Sequence, residues 1–220
     1  MKKLLFSLAA LAIGTLAYAQ KPAAGDKTAE TLLNLNFGNP GITYGTPEFR
    51  LRYFMSENGA ARLRISLGST SSTDKPNDST EVKTSSGFTI SIAPGYEMHL
   101  PGTSKLSPYV GVQLPISFGT GSTTETTQKF PQSTLPTTTT KVTGGSTLSI
   151  GLSLALGADY YIAESIYVGA EMGLGIFNMT SEGESTTSVT GEPDVKGGTS
   201  SSFDLFGVSP TSGIRLGMRF

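Results

Sequence analysis

Six arginines are the residues best placed to do chemistry, and they come in spaced pairs: Arg50 and Arg52, Arg62 and Arg64, Arg215 and Arg219. Leu51, Leu63, Leu216 and Met218 lie between or beside them, so an extended chain turns its arginines to one face and its aliphatic side chains to the other. Glu48, Glu97, Asp159 and Glu171 hold the same polar parity in their own stretches. Guanidinium and carboxylate groups on one enclosed face form strong charge-assisted hydrogen bonds, so the expected chemistry is ion pairing, with Glu171 meeting Arg215. Catalysis finds less support. Nucleophilic hydrolysis needs a serine with a histidine base in reach. The one histidine, His99, falls at an expected turn, where it reads as a solvated or interfacial side chain, and serines are too many for one to stand out. With no cysteine there is no lipid-anchor motif, disulfide framework or thiolate metal site. No catalytic, cofactor-binding or metal residue is nominated, and the chain reads as a non-enzyme. Its net charge of −1 argues against nucleic acid as a partner.

The elements that must carry these charges are strands. Lys2 and Lys3 precede an apolar run from Leu4 to about Leu16, and Ala17-Tyr18-Ala19 follows as a small-x-small site. This is a secretory signal peptide over residues 1–19, too short for a spanning helix. Beyond it, period-2 patterning recurs in eight stretches. The first runs from about Glu30 to Gly38, with Leu33, Leu35 and Phe37 on one side. The next two, 47–56 and 61–68, set Phe49, Leu51, Tyr53 and Leu63 against the arginines. A fourth from Phe88 to Met98, a fifth from Tyr109 to Phe118, a sixth from Leu148 to Tyr160 and a seventh from Ile166 to Ile176 follow. The eighth ends at Phe220, with its parity traced back to Phe206.

Connections alternate between short and long. Glu57-Asn58-Gly59, with Gly59 left-handed, and Ala163-Glu164-Ser165 are tight; 69–86, 120–146 and 180–202 are long. Tyr53, Tyr96, Tyr109, Tyr160, Tyr167 and Phe220 gather at the short-turn end, and Phe37, Phe88, Phe118, Phe177 and Phe206 towards the other. Tight turns on one side, long loops on the other and two aromatic belts are the pattern of a barrel embedded in lipid. An arginine facing lipid at mid-bilayer costs about 2–4 kcal/mol, so the arginines face inward. The fold class is therefore all-β: a transmembrane, up-and-down antiparallel β-barrel of eight strands. A barrel of that size has a lumen just filled by side chains. The lumen network is expected to comprise Arg50, Arg52, Arg62, Arg64, Glu97, Asp159, Glu171, Arg215 and Arg219.

The last strand, with Ile214, Leu216, Met218 and Phe220 on one face, resembles the C-terminal strand of bacterial outer-membrane β-barrels. That resemblance implies a bacterial outer-membrane location and a terminal signal read by the barrel assembly machinery. As a pattern of strands and loops, including Arg50-Leu51-Arg52-Tyr53-Phe54 before Glu57-Asn58-Gly59, the chain is similar to the small eight-stranded outer-membrane family typified by OmpX and OmpA. It departs from OmpA in ending at Phe220 without a peptidoglycan-binding domain. The expected organisation is a signal peptide (1–19), a short periplasmic segment (20–29) and the barrel (30–220). Outer-membrane lipids surround it. The function expected is envelope structure or surface interaction and adhesion through long Ser/Thr-rich loops, with a surface protein partner at loop 120–146. There, threonine-rich strands can extend past the membrane as a ribbon. The alternative is an OmpW-like channel for small hydrophobic molecules, whose inward apolar candidates are Phe54, Phe177 and Leu205. A lipid-modifying enzyme is the third. Asp78-Ser79-Thr80 resembles a bacterial O-glycosylation motif, and loop 180–202 is acidic.

Overall fold

Period-2 patterning becomes strand throughout the computed structural model, which describes residues 21–34, 48–69, 71–77, 80–85, 87–128, 137–206 and 211–220. The signal-peptide reading, Phe37 and Ser79 lie outside the described residues. In chain order the strands are β1 (Lys27–Asn34), β2 (Glu48–Ser56), β3 (Gly59–Gly68), β4 (Ser71–Asn77), β5 (Thr80–Ser85), β6 (Thr89–His99), β7 (Leu106–Gln113) and β8 (Ile116–Gly119). Then come β9 (Thr123–Gln128), β10 (Thr138–Thr143), β11 (Thr147–Tyr161), β12 (Ile166–Glu182), β13 (Thr186–Val189), β14 (Val195–Lys196), β15 (Ser200–Leu205) and β16 (Thr211–Arg219).

Ten of these make one closed, eight-walled antiparallel barrel. Its walls are β1, β2, β3, β6, the pair β7 and β8, β11, β12, and the pair β15 and β16. Closure runs through β1 against β16, with Thr28 opposite Arg219 and Leu33 opposite Ile214. Burial follows the pleat. Arg50, Arg52 and Phe54 are buried while Phe49, Leu51, Tyr53 and Met55 are exposed, so the apolar face points out to lipid.

Several local expectations are corrected. β1 begins at Lys27, not Glu30, which brings Thr28 into the strand on the same buried parity as Glu30. The first tight turn has two residues, Glu57 and Asn58, because Ser56 pairs with Gly59; a bulge at Met55 restores the register, and Gly59 is not left-handed. The fifth stretch is split by Pro115, which has no N–H for the ladder, though its carbonyl still accepts from Gly151 N–H at 2.9 Å. β12 carries a bulge at Ile176, so Leu152 pairs with Phe177 and Ser153 with Gly175. Beyond it the parity flips and Phe177 joins the lipid-facing side, stacked on Phe203 at 6.3 Å between centroids. β15 flips in step: Leu205 pairs with Phe177 and is 62% exposed, so parity does not run unbroken from Phe220 to Phe206. Phe206, at φ 50°, makes the break and donates its N–H to the Ile176 carbonyl at 2.9 Å. The hydrophobic-channel reading thereby loses two of its three inward candidates.

The other six strands form a second sheet in the order β14, β13, β10, β9, β5, β4. It continues the barrel walls. Gly119 faces Thr147 below the junction, and Thr123 faces Thr143 above it in the same phase. At the junction a side chain on Gly121 would run into the Gly144 carbonyl, and one on Gly145 into that of Gly183. Glycine lets the strands approach closely where the wall breaks.

Candidate functional site

All eight walls send a side chain to one level of the lumen. Arg52 on β2 is the centre: its Nε lies 2.5 Å from Glu30 on β1, and its Nη1 lies 3.0 Å from Glu97 on β6 and 2.7 Å from Asp159 on β11. Arg215 on β16 joins Glu30 and Asp159, both at 2.7 Å. Arg50 grips Glu171 on β12 through two bonds of 2.7 and 2.6 Å, and Arg62 on β3 reaches the same carboxylate at 3.2 and 3.0 Å. Arg62 returns to Glu97 at 2.7 Å, which closes a ring of alternating charge from Arg50 through Glu171, Arg62, Glu97, Arg52 and Glu30 back to Arg50. The remaining wall supplies Tyr109 from β7, whose hydroxyl donates to Glu171 at 2.5 Å. Four guanidinium groups thus meet four carboxylates, every one of these side chains no more than 7% exposed. Burial of so many ions is tolerable only because each has opposite charges on more than one side.

Glu171 therefore meets Arg50 and Arg62, while Arg215 is held by Glu30 and Asp159. Arg215 sits opposite Gly169 in the ladder, two residues nearer the short turns than Glu171, and long side chains crossing the lumen choose the partners. Arg64 and Arg219 lie outside this cluster, at its two ends. Arg64 is 3.7 Å from Glu48, and Arg219 is 3.3 Å from Asp26 and also bonds the Lys21 carbonyl.

Beneath the ions lies an aromatic floor of Phe54, Tyr109, Tyr161, Tyr167 and His99. Tyr161 and Tyr167 pack at 5.1 Å, and the Arg52 guanidinium lies over Phe54 and Tyr167 at 5.4 and 5.2 Å. The tyrosine belt on the lipid side is thus Tyr53, Tyr96 and Tyr160 with Phe220, and Tyr109 and Tyr167 belong to the lumen. His99 is not solvated. It is 5% exposed between the rings of Phe54 and Tyr109, with Nδ1 2.9 Å from Ser107 Oγ and Nε2 3.5 Å from Glu97. These are the residue types of a nucleophile, base and orienting acid. Glu97 is already tied to two arginines, however, and Ser107 is 2% exposed.

Above the ions the second sheet has two faces. One carries Val82, Thr126, Thr140 and Val189 in register, then Thr84, Thr124, Val142, Thr187 and Val195. The other carries Thr73, Lys83, Glu125, Lys141 and Ser188. None of the described residues of this sheet is buried.

Residues 5–208 match the model of the outer membrane protein beta-barrel domain. The chain belongs to that family. It is accordingly a protein of the bacterial outer membrane. Among solved structures, the N-terminal β-barrel domain of Pseudomonas aeruginosa OprF is similar, at 14% identity, with 90% of this chain and 100% of that one covered and a TM-score of 0.45. Comparison with curated proteins finds no match.

For this outer-membrane barrel, sequence reasoning missed Glu30, Asp26, Thr28 and the Tyr109 hydroxyl. A signal for the acids existed: six inward arginines stood against four carboxylates of matching parity, a shortfall of two that Glu30 and Asp26 fill. Thr28 escaped because β1 was started too late; its hydroxyl accepts from Arg52 Nε at 3.1 Å. Ile214, Leu216, Met218 and Phe220 all lie on the exposed, lipid-facing side of β16.

Proposed function

We propose that this barrel is a sealed membrane anchor that displays its outer sheet to a protein partner at the cell surface. The observation that carries the reading is the pairing of a lumen crossed by a buried ion network with a sheet solvated on both faces. Eight walls contributing side chains to one charge cluster leave little lumen for a solute. Threonine and valine rows on an open sheet offer methyl groups and hydroxyls to an opposing surface, and its free edges offer strand addition. The protein is read as non-enzymatic, since the serine, histidine and glutamate near the floor sit under aromatic rings. The face of β16 bearing Ile214, Leu216, Met218 and Phe220 serves as the signal for the assembly machinery; deleting Phe220 is expected to leave the chain unassembled.

Two measurements test the anchor reading. Refolded protein in a planar bilayer should give no discrete conductance steps. Replacing 123–140 by a short Gly/Ser linker should abolish pull-down of an envelope protein or adhesion, with the barrel still heat-modifiable on gels, because loop length changes closure entropy only slowly. Stepwise conductance by the wild type would replace the anchor with a channel. Equal binding by the loop-replaced barrel would move the contact away from this ribbon.

A further inference from the structure

The outward profile of β1 is unlike that of any other described wall. It shows Lys27, Ala29 and Thr31, whereas β2 beside it shows Phe49, Leu51 and Tyr53, and β16 on the other side shows Leu216, Met218 and Phe220. A low strand between two tall ones is the floor of a groove. Cavities of about 370 and 360 Å³ flank it: one between Lys27, Tyr53, Leu63 and Phe220, the other between Ala29, Thr31, Phe49 and Leu216.

Lys27 is the feature that points to a ligand. It is the one charged side chain with lipid-facing parity in the described barrel strands, and it is exposed. No carboxylate among the described residues lies within ion-pair distance of it. It sits at the short-turn end, opposite Tyr53 in the ladder and bonded through its backbone to Phe220, so it stands in the interfacial belt. A cation there, at the mouth of an apolar groove, matches a lipid phosphate whose acyl chain runs along the strand.

We infer that the outer face of β1 binds one anionic glycerophospholipid of the periplasmic leaflet, its phosphate at Lys27 and an acyl chain over Ala29 and Thr31. The length from Lys27 to Thr31, about 14 Å at the usual strand rise, fits the lower half of the apolar band.

Native mass spectrometry of the refolded barrel, titrated with phosphatidylglycerol and with phosphatidylethanolamine, tests this. Wild type should retain one phosphatidylglycerol. Ala29→Leu with Thr31→Leu fills the groove without placing polarity in lipid. It should weaken retention by ~10-fold or more, as expected when contacts worth about two methylenes are lost. Lys27→Glu should erase the preference for phosphatidylglycerol. Ala170→Leu, which enlarges a lipid-facing residue on β12, should change nothing. Gel mobility before and after heating confirms that each variant is folded. Equal retention by wild type and the filled groove would overturn the site, as would no retained lipid at all. An unchanged preference in Lys27→Glu would overturn the phosphate contact. A wild-type dimer that the filled groove abolishes would show that a second copy, not a lipid, occupies the groove.

Discussion

The lumen and the outer sheet use ion pairs to opposite ends, arginine with carboxylate inside and lysine with carboxylate outside. In the lumen Arg52 touches three carboxylates and is itself fully buried. On the outer sheet Lys75 and Glu81 are paired at 3.4 Å with side chains 69% and 37% exposed, and Lys196 and Glu184 are more exposed still. Water and salt screen the outer pairs, so they contribute little to stability. The lumen pairs cannot be lost one partner at a time without leaving a bare charge in a low-dielectric space. Charge inside the barrel is structure, and charge on the sheet is surface.

The sharpest way to break that contrast is at Arg52. Arg52→Met leaves Glu97, Asp159 and Glu30 facing one another with one fewer cation. A loss of about 3–5 kcal/mol is expected, or failure to fold. Urea midpoints in detergent report it, and Lys196→Met serves as the outer counterpart, with almost no shift expected. Comparable midpoints for the two variants would erase the distinction between the regions.

Glu171→Ala comes next. It strands Arg50 and Arg62 together, although Arg50 keeps Glu30 at 3.6 Å and Arg62 keeps Glu97. That residual pairing puts the cost at the lower end, about 3 kcal/mol. Glu182→Ala, which removes only an exposed acceptor for Ser200, should leave the midpoint unchanged. A double-mutant cycle with Arg50→Met sharpens the test. Coupling should appear with Glu171 and not with Glu182.

How far the sequence could be read differs between the same two regions. In the barrel, one face must be apolar, so alternation reveals strand, face and the inward arginines. What alternation hides is a single extra residue: the bulges at Met55 and Ile176 leave no mark in composition, and one of them moved Phe177 and Leu205 to the other face. Partner choice was also hidden, because it depends on how long side chains cross the lumen; Glu171 reaching Arg50 and Arg62 is the case in point. The outer sheet was legible only as the β9–β10 ribbon. With both faces solvated, Ser and Thr occur on either parity, and nothing in 69–86 or 180–202 marks β4, β5, β13 and β14 as its neighbours.

Gly145→Val probes the junction between the two regions. A side chain there meets the Gly183 carbonyl, so overpacking of about 1–3 kcal/mol is expected. The cost should fall on the outer sheet: limited proteolysis should cut it faster, while the heat-dependent gel shift of the barrel persists. Loss of the gel shift would mean that sheet and barrel fold as one unit.

The smallest effect is expected at Glu125, and it discriminates best between surface and structure. In the ladder Glu125 lies between Lys83 and Lys141, with no ion pair to either within 4 Å among the described residues. Glu125→Lys places three lysines side by side. Like charges directly opposite across strands are unfavourable by roughly 0.2–1 kcal/mol, and salt screens the repulsion. Faster proteolysis of the outer sheet at low salt, reversed at high salt, is the expected result, with the urea midpoint of the barrel unchanged. A shift in that midpoint as large as the one at Glu171 would show that outer charges are coupled to the lumen. The ion-bridged core could then no longer be treated as independent of the surface it carries.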